Sequence, residues 1–222
     1  MRTATITGPP GIGKTRLARE FASAARRRLD GEVWFLELAE MESIAEVVSA
    51  VAQRLNIPID IDDGVERTTH SLAGRQDIWL VMDNAEHLID EGLDHLLRRW
   101  LQRAPNLHLV VTSRSRLGVE FENCHALSPL SVDAAVELFE ARARRLSSDF
   151  QVDEENREVV AELVDRLDCL PLAVKLAAGR IRILSPAQML ERLDESFELL
   201  EQSRLSAQPR SLEQAIESSW KA

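Results

Sequence analysis

Apolar positions recur along the chain in two rhythms, and the switch between them divides it. Up to about residue 128, short β-rich runs alternate with helical patterns. The runs are Thr3–Thr7, Glu32–Leu38, Ile78–Met82, Leu107–Thr112 and a shorter one around His125–Leu127. Between them, Leu17, Ala18, Phe21, Ala24 and Ala25 mark one face of a helix over Lys14–Arg28. Ile44, Val47, Val48, Val51 and Leu55 mark a second helix, with Ser43 and Glu46 as its capping box and Asn56-Ile57-Pro58 as its end. A short helix is expected after the polar stretch Asp60–Gly64, and a long one from Ala85 to Arg103. Strands alternating with helices predict a mostly parallel sheet covered on both faces.

After Pro129 only helical periods remain. Ser131 and Asp153 are expected caps, Pro171 suits a first helical turn, and Ser185-Pro186-Ala187-Gln188 is a further start signal. Gln202–Arg210 reads as a linker and Ser211–Trp220 as an amphipathic helix that stops abruptly, so a fragment of a larger chain is expected. The expected units are 1–128, 129–205 and 206–222.

The chemistry gathers at the ends of the strands. Gly8-Pro9-Pro10-Gly11-Ile12-Gly13-Lys14-Thr15 spells G-x-x-x-x-G-K-T between a strand and a helix. Such a turn converges backbone N–H groups on a polyphosphate, and the helix N-terminus adds its positive end. Lys14 is expected on the β- and γ-phosphates and the Thr15 hydroxyl on Mg²⁺. The nucleotide-binding set therefore runs from Gly8 through Thr15 and includes Arg16. The fold class that follows is α/β, a P-loop NTPase parallel sheet with helices on both faces and a small all-α domain after it.

An apolar strand ending in Asp83 supplies a second metal anchor beside the P-loop, although an Asp there can also cap the next helix. Asn84 occupies the place where many P-loop ATPases carry an acid. An amide orients water but takes no proton from it. Glu86 is the nearest alternative base, with favouring the helix dipole as its other reading. Turnover is therefore expected to be slow, on the order of 10⁻⁴ to 10⁻² s⁻¹ as for unassisted P-loop switches. Arg114, just past the fourth strand, is positioned to sense a γ-phosphate, and Arg116 competes with it.

The chain has 222 residues, a formal net charge of −10 and 45% hydrophobic residues. The acidic balance argues against direct binding of nucleic acid, and Arg26–Arg28 and Arg142, Arg144 and Arg145 read as solvated helix surface. No apolar run approaches the ~20 residues of a membrane span, and Met1 does not open a signal peptide. The two cysteines, Cys124 and Cys169, lie far apart in sequence; a disulfide between them is one reading, and two buried thiols in a reducing cytoplasm is the favoured one. The five histidines show no metal-binding spacing.

Four segments in order carry a family resemblance: Gly8–Thr15, Leu80-Val81-Met82-Asp83-Asn84-Ala85-Glu86-His87-Leu88, Val111-Thr112-Ser113-Arg114 and Leu167-Asp168-Cys169-Leu170-Pro171-Leu172-Ala173. Leu127-Ser128-Pro129-Leu130 and the Phe139 helix also match. The chain resembles the NB-ARC-type nucleotide-binding domain of STAND-class signal-transduction ATPases, in the flavour of large bacterial LuxR-type and antibiotic-regulatory transcription factors. The resemblance implies a switch that is closed with ADP and open, often oligomeric, with ATP. It implies Pro171 near the adenine, an ARC1-like helical domain, and the start of a winged helix at Ser211–Trp220. Two rival readings are a small-molecule kinase and a scaffold that holds ADP without turnover. A remodelling or replication ATPase of the AAA+ kind is a close cousin, weakened by the absence of an evident pore loop.

Overall fold

The computed structural model describes residues 2–29, 31–58, 63–119 and 122–193. They fall into two compact units that divide between Leu127 and Ser128. Expectations for Asp60–Asp62, the linker and the amphipathic helix lie outside the described residues.

In the first unit, β1 (Thr3–Thr7), β2 (Glu32–Glu37), β3 (Ile78–Asp83), β4 (Leu107–Ser113) and β5 (Asn123–Ala126) form one sheet in the order β2-β3-β4-β1-β5. Every neighbouring pair is parallel. Side-chain alternation then assigns the faces. Ile78, Leu80 and Met82 of β3 join Leu107, Leu109 and Val111 of β4 beneath α2 (Ile44–Arg54), α3 (Gly64–Ala73) and α4 (Leu93–Arg103). The opposite parity, Val81 and Val110 with half-buried Trp79, packs against α1 (Lys14–Arg28) through Ala18, Ala22 and Ala25. By the same parity Asp83 and Thr112 point to the face of α1, the helix that begins at the P-loop.

One expectation is corrected. The single helix from Ala85 to Arg103 is absent. Asn84 takes φ 66, a 3₁₀ turn covers Glu86–Leu88, and α4 starts only at Leu93. The reason is Gly92 at φ 93, a conformation no continuous right-handed helix contains. β4 runs between β3 and β1, and Asp83 still reaches the P-loop, where the Thr15 hydroxyl donates to it at 3.0 Å. Two boundaries also shift. The fifth strand ends at Ala126 rather than Leu127. Asp153 Oδ1 accepts the amides of Glu155 and Asn156 at 3.0 and 3.1 Å, capping a turn one step ahead of its helix.

The second unit holds α5 (Val132–Arg144), α6 (Arg157–Arg166), α7 (Pro171–Ala178) and helical residues 186–193. Phe139, Val160, Leu163, Val174, Ala177 and Met189 form the centre of its core. Ser131 caps α5 through the Ala134 amide at 3.3 Å. Ser185 and Gln188 exchange both bonds of a capping box, at 2.9 and 3.3 Å. Pro171 opens α7 after Asp168 and Cys169, both left-handed at φ 52 and 50.

Glu122 ties down the loop that follows β4. Its carboxylate accepts the amides of Leu117 at 2.9 Å and Gly118 at 3.0 Å. Burial pushes its pKa up, but side-chain hydrogen bonds and these two amides outweigh it and leave the value below the ordinary 4.5. A lowered carboxylate pKa contributes stability that is complete above pH 4.5 and fades as the pH falls through the folded-state value. We expect Glu122→Gln to lose about 1 kcal/mol at pH 7, modest because the group is partly exposed. Chemical denaturation at both ends of the range checks this, and the difference from wild type should vanish in stronger acid.

Candidate functional site

The P-loop leaves β1 at Thr7 and curls through glycines into α1. Gly11 and Gly13 stand at φ 76 and 108, which glycine alone adopts without strain. Gly13 is the N-cap of α1 and offers no side-chain acceptor, so no cap competes for the first amides of the helix. That is a cradle for an anion.

Lys14 folds back over this loop. Its Nζ donates to Gly8 O at 2.8 Å and Pro9 O at 3.0 Å. Burial lowers its pKa below the usual 10.5, Arg114 lowers it further, and Glu86 and Asp83 work against the shift. Lys14, Asp83, Glu86 and Arg114 are thus brought together from three separate stretches of sequence, with Glu86, Arg114 and Asp83 all acting on the Lys14 amine.

Asp83 is 6% exposed. Its Oδ1 accepts the Thr15 hydroxyl at 3.0 Å and the Thr112 hydroxyl at 2.6 Å. Thr15 and Asp83 fit a hard divalent cation, since both offer oxygen donors and they already touch. Among the described residues no group of three or more His, Cys, Asp or Glu gathers to hold a metal by itself. That donor set suits Mg²⁺, which takes few protein ligands and fills its shell with phosphate oxygens and water.

Glu86 and Arg114 meet directly. Arg114 Nε donates to Glu86 Oε1 at 2.8 Å, with the Glu86 side chain 15% exposed and that of Arg114 64%. Glu86 Oε2 is buried without a hydrogen-bond partner. Arg116, the competing candidate, instead acts on Cys124 beyond the loop. Arg16 is exposed on the first turn of α1, and Pro171 stands in the second unit.

Thr112 escaped the sequence reading as a residue with a task of its own. Inside a β-rich run a threonine passes for strand filler. No signal in the sequence marks it, because only the strand register, with Met82 beside Val111, brings Thr112 next to Asp83.

A family model described as an AAA domain matches residues 2–117. The chain belongs to the AAA domain family. Its sheet and P-loop are those of a P-loop NTPase, and this AAA domain has relatives in regulatory proteins. A Mycobacterium tuberculosis protein named as an HTH-type transcriptional regulator is 35% identical over 200 residues, 90% of this chain and 22% of that one. The chain thus spans less than a quarter of that relative's length. Among solved structures, Drosophila ORC bound to DNA shares the fold at TM-score 0.60 and 16% identity, over 90% of this chain and 62% of that one. A STAND protein with a tetratricopeptide repeat sensor, from Pyrococcus horikoshii, shares it at TM-score 0.50 and 18% identity, over 99% of this chain and 30% of that one. Among the described residues no helix is long and apolar enough to cross a membrane.

Proposed function

We propose that this AAA domain is a nucleotide-dependent switch of the NB-ARC type, which binds ATP or ADP with Mg²⁺ and hydrolyses ATP slowly within a larger transcription-regulating protein. The observation that carries the reading is the Arg114–Glu86 pair beside Lys14. The cation suited to read a γ-phosphate and the carboxylate suited to activate water hold each other. A γ-phosphate competes with Glu86 for Arg114, so ATP and ADP leave different partners on the guanidinium.

Slow turnover follows from the same residues. Asn84 accepts no proton, and Glu86 Oε1 is already occupied by the Arg114 guanidinium rather than free to meet a water. Mg²⁺, held by Thr15 and Asp83, would neutralise charge on the β- and γ-phosphate oxygens. Lys14 leaves its two loop carbonyls for the phosphates, and the α1 amides orient them.

Pro171 at the adenine, the ARC1-like role of the helical unit and self-association in the ATP state enter on the resemblance to STAND proteins. A cytoplasmic setting enters on the two free cysteines. The net charge of −10 favours partners other than nucleic acid for this segment.

Calorimetry of the wild type and Arg114→Ala with ADP and a non-hydrolysable ATP analogue tests the switch. One charge-assisted bond is worth about 1.5–3 kcal/mol, so wild type should separate the two nucleotides by roughly tenfold or more, and Arg114→Ala should bring them together. Equal discrimination in both proteins would remove Arg114 from the reading. Phosphate transfer to a small acceptor would favour a kinase, and permanently held ADP without turnover a scaffold.

A further inference from the structure

We propose that Thr112 is the positioning residue of the metal-binding carboxylate, a prop that β4 supplies across the sheet to Asp83. The proposal rests on the nucleotide-binding reading above and adds a residue to that site.

Thr112 is 1% exposed and holds three groups at once. Its hydroxyl donates to Asp83 Oδ1 at 2.6 Å. The same oxygen accepts the Asn84 amide at 2.9 Å. Its carbonyl accepts the Ala85 amide at 3.0 Å. Both amides that follow Asp83 therefore end on one residue, at the point where Asn84 turns left-handed at φ 66.

The hydroxyl has one proton and spends it on the carboxylate, so the Asn84 amide must be the donor in the second bond. The β-branched side chain has few rotamers, which fixes the direction of the hydroxyl without help from solvent. Thr15 reaches the same Oδ1 from the P-loop at 3.0 Å. Asp83 is thereby oriented from two sides, by a residue that would itself share the metal and by one whose hydroxyl is committed to Asp83 and Asn84. Partners of that second kind typically change metal affinity by about 10–100-fold when removed.

Thr112→Val keeps the shape of the side chain and the carbonyl bond to Ala85 but deletes both hydroxyl bonds. Thr112→Ser keeps the hydroxyl and deletes only a methyl. The test is binding of fluorescently labelled ADP to the whole chain, first in EDTA and then titrated with MgCl₂. Wild type and both variants should bind alike in EDTA. The Mg²⁺ concentration that gives half of the metal-dependent tightening should rise about tenfold or more in Thr112→Val and stay within about twofold of wild type in Thr112→Ser. Should the valine protein not fold, Thr112→Ala carries the same expectation. An unchanged Mg²⁺ requirement in the hydroxyl-free variant would overturn the proposal, as would a serine variant as impaired as the valine one. Failure of the wild type to bind labelled ADP in either condition would instead bring down the nucleotide-binding reading itself.

Discussion

Lys14→Ala should abolish measurable nucleotide binding while leaving the fold in place. In the free chain Lys14 Nζ spends its hydrogen bonds on Gly8 O and Pro9 O, 2.8 and 3.0 Å away. Those carbonyls lie at the loop surface, where water can replace the amine, so little stability is at stake. With a triphosphate bound the same group meets charged oxygens in a partly buried setting. Two such bonds at about 1.5–3 kcal/mol each amount to a factor of at least roughly 100 in affinity. Lysine's compact charge is the fitting group, and Lys14→Arg should not restore binding because the planar fork is larger and already finds carbonyl acceptors nearby. Calorimetry for binding and thermal unfolding for the fold separate the two effects. A Lys14→Ala protein that binds ATP as wild type does would show that the loop does not use this amine.

The second large effect is on stability. Trp100 of α4 is 0% exposed at the centre of the core under β3 and β4. Truncating a buried tryptophan to alanine removes its contacts and leaves a cavity, at a loss of about 3–5 kcal/mol. Native domains hold only about 5–15 kcal/mol in total, so Trp100→Ala should leave the first unit barely folded at 37 °C. Trp100→Phe should lose clearly less. The indole N–H is buried without a hydrogen-bond partner, and removing it relieves part of what the smaller ring gives up. Urea unfolding of the three proteins measures the series. A loss below about 1 kcal/mol for the alanine variant would mean that α4 can collapse onto the sheet.

Most of the fold was legible because its period is strict. Ile78, Leu80 and Met82 alternate with Trp79, Val81 and Asp83, and that parity alone sends Asp83 to the P-loop face. The Gly8–Thr15 spacing was equally plain, since close backbone approach to a phosphate needs glycine. Strand order was not legible. Nothing local to Ile78–Asp83 or Leu107–Ser113 says which of them borders β1, because that choice is made by crossover packing over the whole unit. The helix expected from Ala85 failed for a local reason: leucine spacing outvoted Gly92, although one left-handed residue is enough to end a helix. The ion pair of Glu86 with Arg114 joins residues on neighbouring strand ends, and only the order of the strands brings them together.

That order gives β4 an unusual share of responsibility. One seven-residue strand supplies both the hydroxyl beneath Asp83 and, just beyond its last residue, the guanidinium that faces Glu86. If the proposed site is right, anything that nudges this ribbon lengthwise, whether a partner pulling on the loop after Ser113 or a substitution in the apolar stretch Leu107–Val111, would disturb cation and phosphate handling together. On the proposed reading, metal and nucleotide sensitivity would be mechanically yoked.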